Sequence, residues 1–110
     1  MKVSKELIKG STSLLVLSVL KQSDMYGYKI IKEIEKQSED VFVLKEGTLY
    51  PILHALEEEN FLESYWEDTE GRKRKYYHIT KKGIKCLKEK QQEWQVFSTS
   101  VNKVLGTALG

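Results

Sequence analysis

The sequence predicts a mainly α chain with one β-hairpin, an α+β fold class. Three observations predict it. Apolar residues recur at helical spacing in three successive segments, the clearest being Leu49, Ile52, Leu53 and Leu56. An aromatic and β-branched stretch, Phe61 to Ile79, is broken by Glu70-Gly71 and reads as two strands around a turn. After Thr80 a helical pattern resumes, and Leu87, Trp94 and Val101 repeat every seven residues.

The first helix is expected over Lys5 to Leu20. Its second half, LLVLSVL, is apolar nearly all round, so it needs cover on several sides. QSDMYGY punctuates, and Ser23 or Asp24 is placed to cap a second helix from about Tyr26 to Gln37. There Ile30, Ile31 and Ile34 form the apolar side, among Lys29, Lys32, Glu33, Glu35 and Lys36. Val41 to Leu44 reads as a short extended connector.

The third helix should begin near Glu46 to Thr48 and end near Glu59-Asn60. Pro51 fits its first turn, where a proline's missing N–H costs little. The hairpin follows, with acids on its first arm and bases on its second. Opposite charges facing each other across the ladder favour that register. Trp66 is expected to pack within the hairpin. Thr80 caps the last helix.

A chain of 110 residues, 40% hydrophobic and 31% charged, reads as one folded unit. Residues 1–80 are expected to form one module, with 81–110 a dimerisation helix packed on it. The single cysteine, Cys86, rules out an intramolecular disulfide and a thiolate cluster, and reads as a small helix-packing residue. The apolar run Leu14 to Leu20 lacks a following cleavage site and is shorter than the ~20 residues a bilayer span needs. A cytoplasmic location is expected.

The formal net charge of +2 conceals a segregation. Glu57 to Glu70 holds seven acids and no Lys or Arg, whereas Arg72 to Lys90 holds nine bases and one acid. Four of those bases, Arg72, Lys73, Arg74 and Lys75, are adjacent, and mutual repulsion makes such a run a candidate anion contact. Lys81, Lys82, Lys85 and Lys88 read instead as a solvated helix face.

Three helices, a charged hairpin and a further helix follow the order of a winged helix-turn-helix. On that reading the third helix enters a DNA major groove, with Lys45, Thr48, Tyr50, Pro51 and His54 free to face outward. The hairpin is the wing, and Arg72 to Lys75 suit phosphates or a minor groove. The last helix continues past the module. Phe97, Val101, Val104 and Leu105 have few elements left to cover them, so with Leu14, Leu17, Leu87 and Trp94 they are expected to join two copies.

YGYKIIKEI, KEGTLYPILHALEEENFLESYW and GRKRKYYHITKKG together resemble the PadR family of bacterial transcriptional regulators. The resemblance spans nearly the whole chain, and the single closing helix resembles the short subgroup. Lys73 stands where the family often has proline. The resemblance implies a homodimeric repressor on a palindromic double-stranded operator. Thr48, Tyr50 and Pro51 would approach DNA with Arg72 and Lys73, and Tyr76 and Tyr77 would lie near the wing base. It also implies a flat aromatic effector at Trp94. Aromatic residues serve plain dimer packing as readily, and both roles stay open for Trp94.

Other classes lack their motifs. There is no Gly-rich phosphate loop, no H-E-x-x-H and no nucleophile elbow, so neither an enzyme nor a cofactor is expected. Glu57 to Glu59 are consecutive and diverge around a helix instead of converging. His54 reads as a helix-surface residue. His78 reads as a strand residue, and two histidines without suitably spaced acids or cysteines make no metal site. The competing use of such a fold, a protein–protein module, does not need a basic wing.

Overall fold

A computed structural model describes residues 3–106. Helix α1 spans Lys5–Gln22, strand β1 Met25–Tyr26, α2 Gly27–Gln37, α3 Glu46–Glu58, β2 Leu62–Thr69, β3 Arg72–Ile79 and α4 Lys81–Leu105. The sheet is antiparallel in the order β1-β3-β2. The expected class holds: helices packed on a small sheet whose central strand β3 and edge strand β2 form the hairpin.

The sheet has one strand more than the sequence suggested. Met25 and Tyr26 pair with Tyr77 and Tyr76, within the segment that punctuates the helices. Two residues are too few to give an alternating pattern. The same segment corrects the expected cap. Ser23 ends α1, its N–H donating to Val19 O, and Tyr26 precedes α2 without any side-chain cap. Asp24 turns instead to the sheet.

One apolar core joins the elements. Val16, Leu17 and Leu20 of α1 meet Ile30 and Ile34 of α2, Leu49, Leu53 and Leu56 of α3, and Leu62, Tyr77 and Ile79 of the hairpin. This explains why LLVLSVL is apolar on every side: α2, α3, α4 and β3 all pack on α1. Burial of such side chains, about 1.5–3 kcal/mol each, dominates the stability of a fold this size. Leu17 and Leu87 are 0% and 1% exposed within the single chain. They are core residues and have no surface to offer a second copy, which corrects their expected dimer role.

The turn at Glu70-Gly71 has positive φ at both residues, +53° and +76°. That pair of left-handed residues matches the right-handed twist of the flanking strands. It sets Glu67 opposite Arg74 and Asp68 opposite Lys73, acids facing bases as expected. Helix α4 starts as foreseen, with Thr80 Oγ1 accepting from Gly83 N at 3.0 Å. Gly106, with φ +79°, ends it. Residues 107–110 of the expected C-terminal unit lie outside the described residues.

Candidate nucleic-acid interface

Helix α3 presents two different sides. Leu49, Leu53 and Leu56 are buried, whereas Lys45, Thr48, Tyr50, Pro51 and His54 are exposed, on the side left free by the apolar stripe. Pro51 is the sixth residue of α3, not part of its first turn. Its missing N–H leaves the Gly47 carbonyl without that helical donor, and Gly47 is exposed, so water can serve it. Tyr50 is only partly free. It is 37% exposed, and its ring leans back onto Gly27 at the start of α2.

The four wing cations divide by strand alternation. Lys73 and Lys75 share a face with Tyr77 and Ile79, which are buried. Arg72 and Arg74 share the opposite face with Tyr76 and His78. The two nearer the base are engaged. Arg74 Cζ lies 4.4 Å from the centre of the Tyr26 ring, within cation–π range. Lys75 Nζ lies 3.8 Å from Glu57 Oε1. Arg72 and Lys73 stand exposed at the tip. The run EGRKRK therefore supplies two tip charges and two that hold the wing to its surroundings.

The outer face of the sheet carries an aromatic cluster that no periodicity announces. Tyr76 stacks on Tyr65 with centroids 5.7 Å apart and meets Tyr26 edge-on at 5.5 Å. Asp24 fastens this face. Its Oδ2 accepts from Tyr65 Oη at 2.7 Å, and its Oδ1 lies 2.8 Å from His78 Nδ1. Burial raises the Asp24 pKa, but the Tyr65 and His78 hydrogen bonds and the His78 charge outweigh it, and the net shift is downward. The same hydrogen bond, with some burial, pushes the Tyr65 phenol up to about 12. The hairpin that sets Tyr65 opposite Tyr76 was expected; the long-range partner Asp24 was not. Trp66 is a second correction. Instead of packing in the hairpin it is 65% exposed opposite Lys75, because the wing extends past the core at that point.

Along α4, Ile84 and Leu87 pack on the chain's own core. Farther on, Trp94, Phe97, Val101, Val104 and Leu105 are all exposed, and Trp94 stacks on Phe97 with centroids 5.9 Å apart. Between this part of α4 and the first half of α1 lies a cavity of about 440 Å³, lined by Leu7, Leu14, Phe42, Trp94 and Phe97 among others. Leu14 is partly buried there.

Among the described residues no His, Cys, Asp or Glu group could hold a metal ion, and no helix is long and apolar enough to cross a membrane. A three-helix unit with a polar-faced third helix beside a basic two-stranded wing defines a DNA-binding winged helix-turn-helix protein.

Comparison with known proteins narrows this class. The family model described as "Transcriptional regulator PadR-like family" matches residues 16–89. A transcriptional regulator from Clostridium thermocellum superposes with a TM-score of 0.84 at 37% identity, over 90% of this chain and 97% of its own. A PadR family regulator from Eggerthella lenta gives 0.81 at 34%, over 91% and 86%. The transcriptional regulator YqjI of Escherichia coli is 28% identical over 91% of this chain, which spans 47% of YqjI. The chain belongs to the PadR-like family of transcriptional regulators, and is a regulator, not an enzyme.

Proposed function

We propose that the protein is a cytoplasmic, homodimeric repressor that reads a palindromic DNA operator. Each α3 enters a major groove and presents Thr48, Tyr50, Pro51 and His54 to base edges, with Lys45 at its start. Each wing sets Arg72 and Lys73 against the phosphates or the adjacent minor groove, while Arg74 and Lys75 add to the local field. The observation that carries this reading is an exposed, largely polar face of α3 together with a wing whose tip cations Arg72 and Lys73 stand exposed while Arg74 and Lys75 are engaged. Phosphate neutralisation supplies affinity and releases counterions, while base contacts supply sequence preference.

Dimerisation uses α4. Trp94, Phe97, Val101, Val104 and Leu105 leave a long apolar side uncovered, including Val104 at 87% exposure, and a second copy is the economical cover. The cavity beside Trp94 suits a flat aromatic compound that stacks on the indole and releases the repressor from DNA.

Light scattering on the purified protein tests the dimer, and Val101→Glu with Val104→Glu should yield monomers. Quenching of tryptophan fluorescence by planar aromatic compounds tests the effector site, with Trp94→Phe as control, since Trp66 is the other tryptophan. Unchanged quenching in Trp94→Phe removes Trp94 from that site.

A further inference from the structure

Glu57 sits in the last turn of α3 and reaches both strands of the wing. Its Oε2 accepts a hydrogen bond from Ser64 Oγ on β2 at 2.6 Å. Its Oε1 lies 3.8 Å from Lys75 Nζ on β3. Ser64 stands opposite Tyr77, and Lys75 stands opposite Trp66, so the two anchors occupy one face of the hairpin on opposite strands. Glu57 also lies seven residues from Tyr50, on the same side of α3. Both are near the buried Tyr77, whose phenol pKa is raised by burial and then by Glu57 and Tyr50.

A carboxylate here opposes the surface's apparent purpose. It repels phosphate and occupies a wing lysine, and both effects lower general affinity for DNA. Glu58 and Glu59 stay exposed and could serve solubility without touching the wing. What Glu57 adds is geometry. Lys75 to Arg72 is three strand residues, about 10 Å, so a tilt of about 10° at Lys75 moves the wing tip by about 2 Å. A shift of that size is enough to take a phosphate contact out of hydrogen-bond range.

We propose that Glu57 is a positioning residue that fixes the angle between α3 and the wing, so that both engage one operator register, at the expense of general affinity for DNA. The inference rests on the reading that α3 and the wing both touch DNA.

Simple repulsion predicts an equal gain on every duplex, whereas positioning predicts a loss of selectivity between duplexes. The test uses a duplex selected by the wild-type protein from a random library, and a random-sequence duplex of equal length. Positioning predicts that Glu57→Ala binds the random duplex as tightly as wild type or more so. The ratio of selected to random affinity falls about tenfold. Glu57→Gln, whose amide oxygen still accepts from Ser64, keeps part of that ratio. Ser64→Ala, a milder change that leaves every charge in place, lowers the ratio without raising random-duplex affinity. Equal gains on both duplexes in Glu57→Ala, or a ratio unchanged in both Glu57→Ala and Ser64→Ala, overturn the proposal. A wild-type protein that selects no sequence from the library removes the DNA-reading account itself and the proposal with it.

Discussion

The phenol of Tyr50 lies over the first residue of α2, so closely that a Cβ built on Gly27 would fall 2.5 Å from Tyr50 Oη. Gly27 is needed here for close approach, because α2 and α3 meet where the side chain proposed to face DNA folds back. Gly27→Ala should therefore swing Tyr50 outward. Forcing an extra carbon into a packed contact costs about 1–3 kcal/mol, while exchanging helical Gly for Ala returns up to about 1 kcal/mol. The expected net loss is about 1 kcal/mol, read by urea denaturation. The larger effect should be on selectivity among duplexes. A variant with unaltered selectivity would show that the Tyr50 pose does not matter for reading DNA.

Gly83 provides a contrasting case. A Cβ there would collide with the backbone carbonyl of Phe61 and come within 2.8 Å of Ile79 Cγ1. A tyrosine tip can swing aside, but a backbone carbonyl held in the seam cannot. Phe61 O already accepts from Thr80 N at 3.1 Å, and Thr80 Oγ1 donates to Asn60 O at 2.7 Å. Gly83→Ala should cost about 3 kcal/mol or more, at the upper end of overpacking effects. The denaturation midpoint should drop far more than for Gly27→Ala. Equal midpoints for the two variants would contradict this packing account.

The Asp24 clasp gives stability a pH dependence with two limbs. The Asp24 pKa is lowered below its ordinary 3.8 by folding, so its contribution is present above that value and lost as pH falls through the lowered one. The Tyr65 pKa is raised from 10.0 to about 12, so its contribution is present below 10.0 and lost as pH rises toward 12. Asp24→Asn should lower Tm at neutral pH by a few °C, about what a surface pair allows. That deficit should shrink as pH falls below 3.8 and through the lowered value, where folded wild type loses the same charge. Tyr65→Phe should remove the part of the alkaline loss that arises between 10.0 and 12. Thermal melts across pH check both limbs.

Much of this was legible because it is local. Leu49, Leu53 and Leu56 declared the buried side of α3, Glu70-Gly71 declared the turn, and Thr80 declared the start of α4. The opposite charges of Glu67 and Arg74 fell into register because a two-residue turn leaves little choice. What escaped was long-range. Local chemistry makes Asp24 a cap, but its partners Tyr65 and His78 are 41 and 54 residues away. Leu17 and Leu87 look like Val101 in sequence, and only the path of the neighbouring helices decides which apolar residues stay uncovered. Strand β1 is too short to have a period at all. Among the wing cations, the difference between Arg72 and Arg74 depends on Tyr26, brought beside the hairpin by that same short strand.

The measurement that bears most directly on the central claim is the salt dependence of DNA binding, for wild type and for Arg72→Ala with Lys73→Ala. Wild type should bind duplex DNA with log K falling linearly as log salt rises. The double substitution should flatten that slope by about 0.9 for each phosphate it no longer neutralises, and weaken binding on all sequences alike. Arg74→Ala should change the slope less, since its guanidinium is held over Tyr26. Absence of binding at low salt, or a slope indifferent to the removal of Arg72 and Lys73, would contradict the assignment of α3 and the wing as the DNA-reading surface.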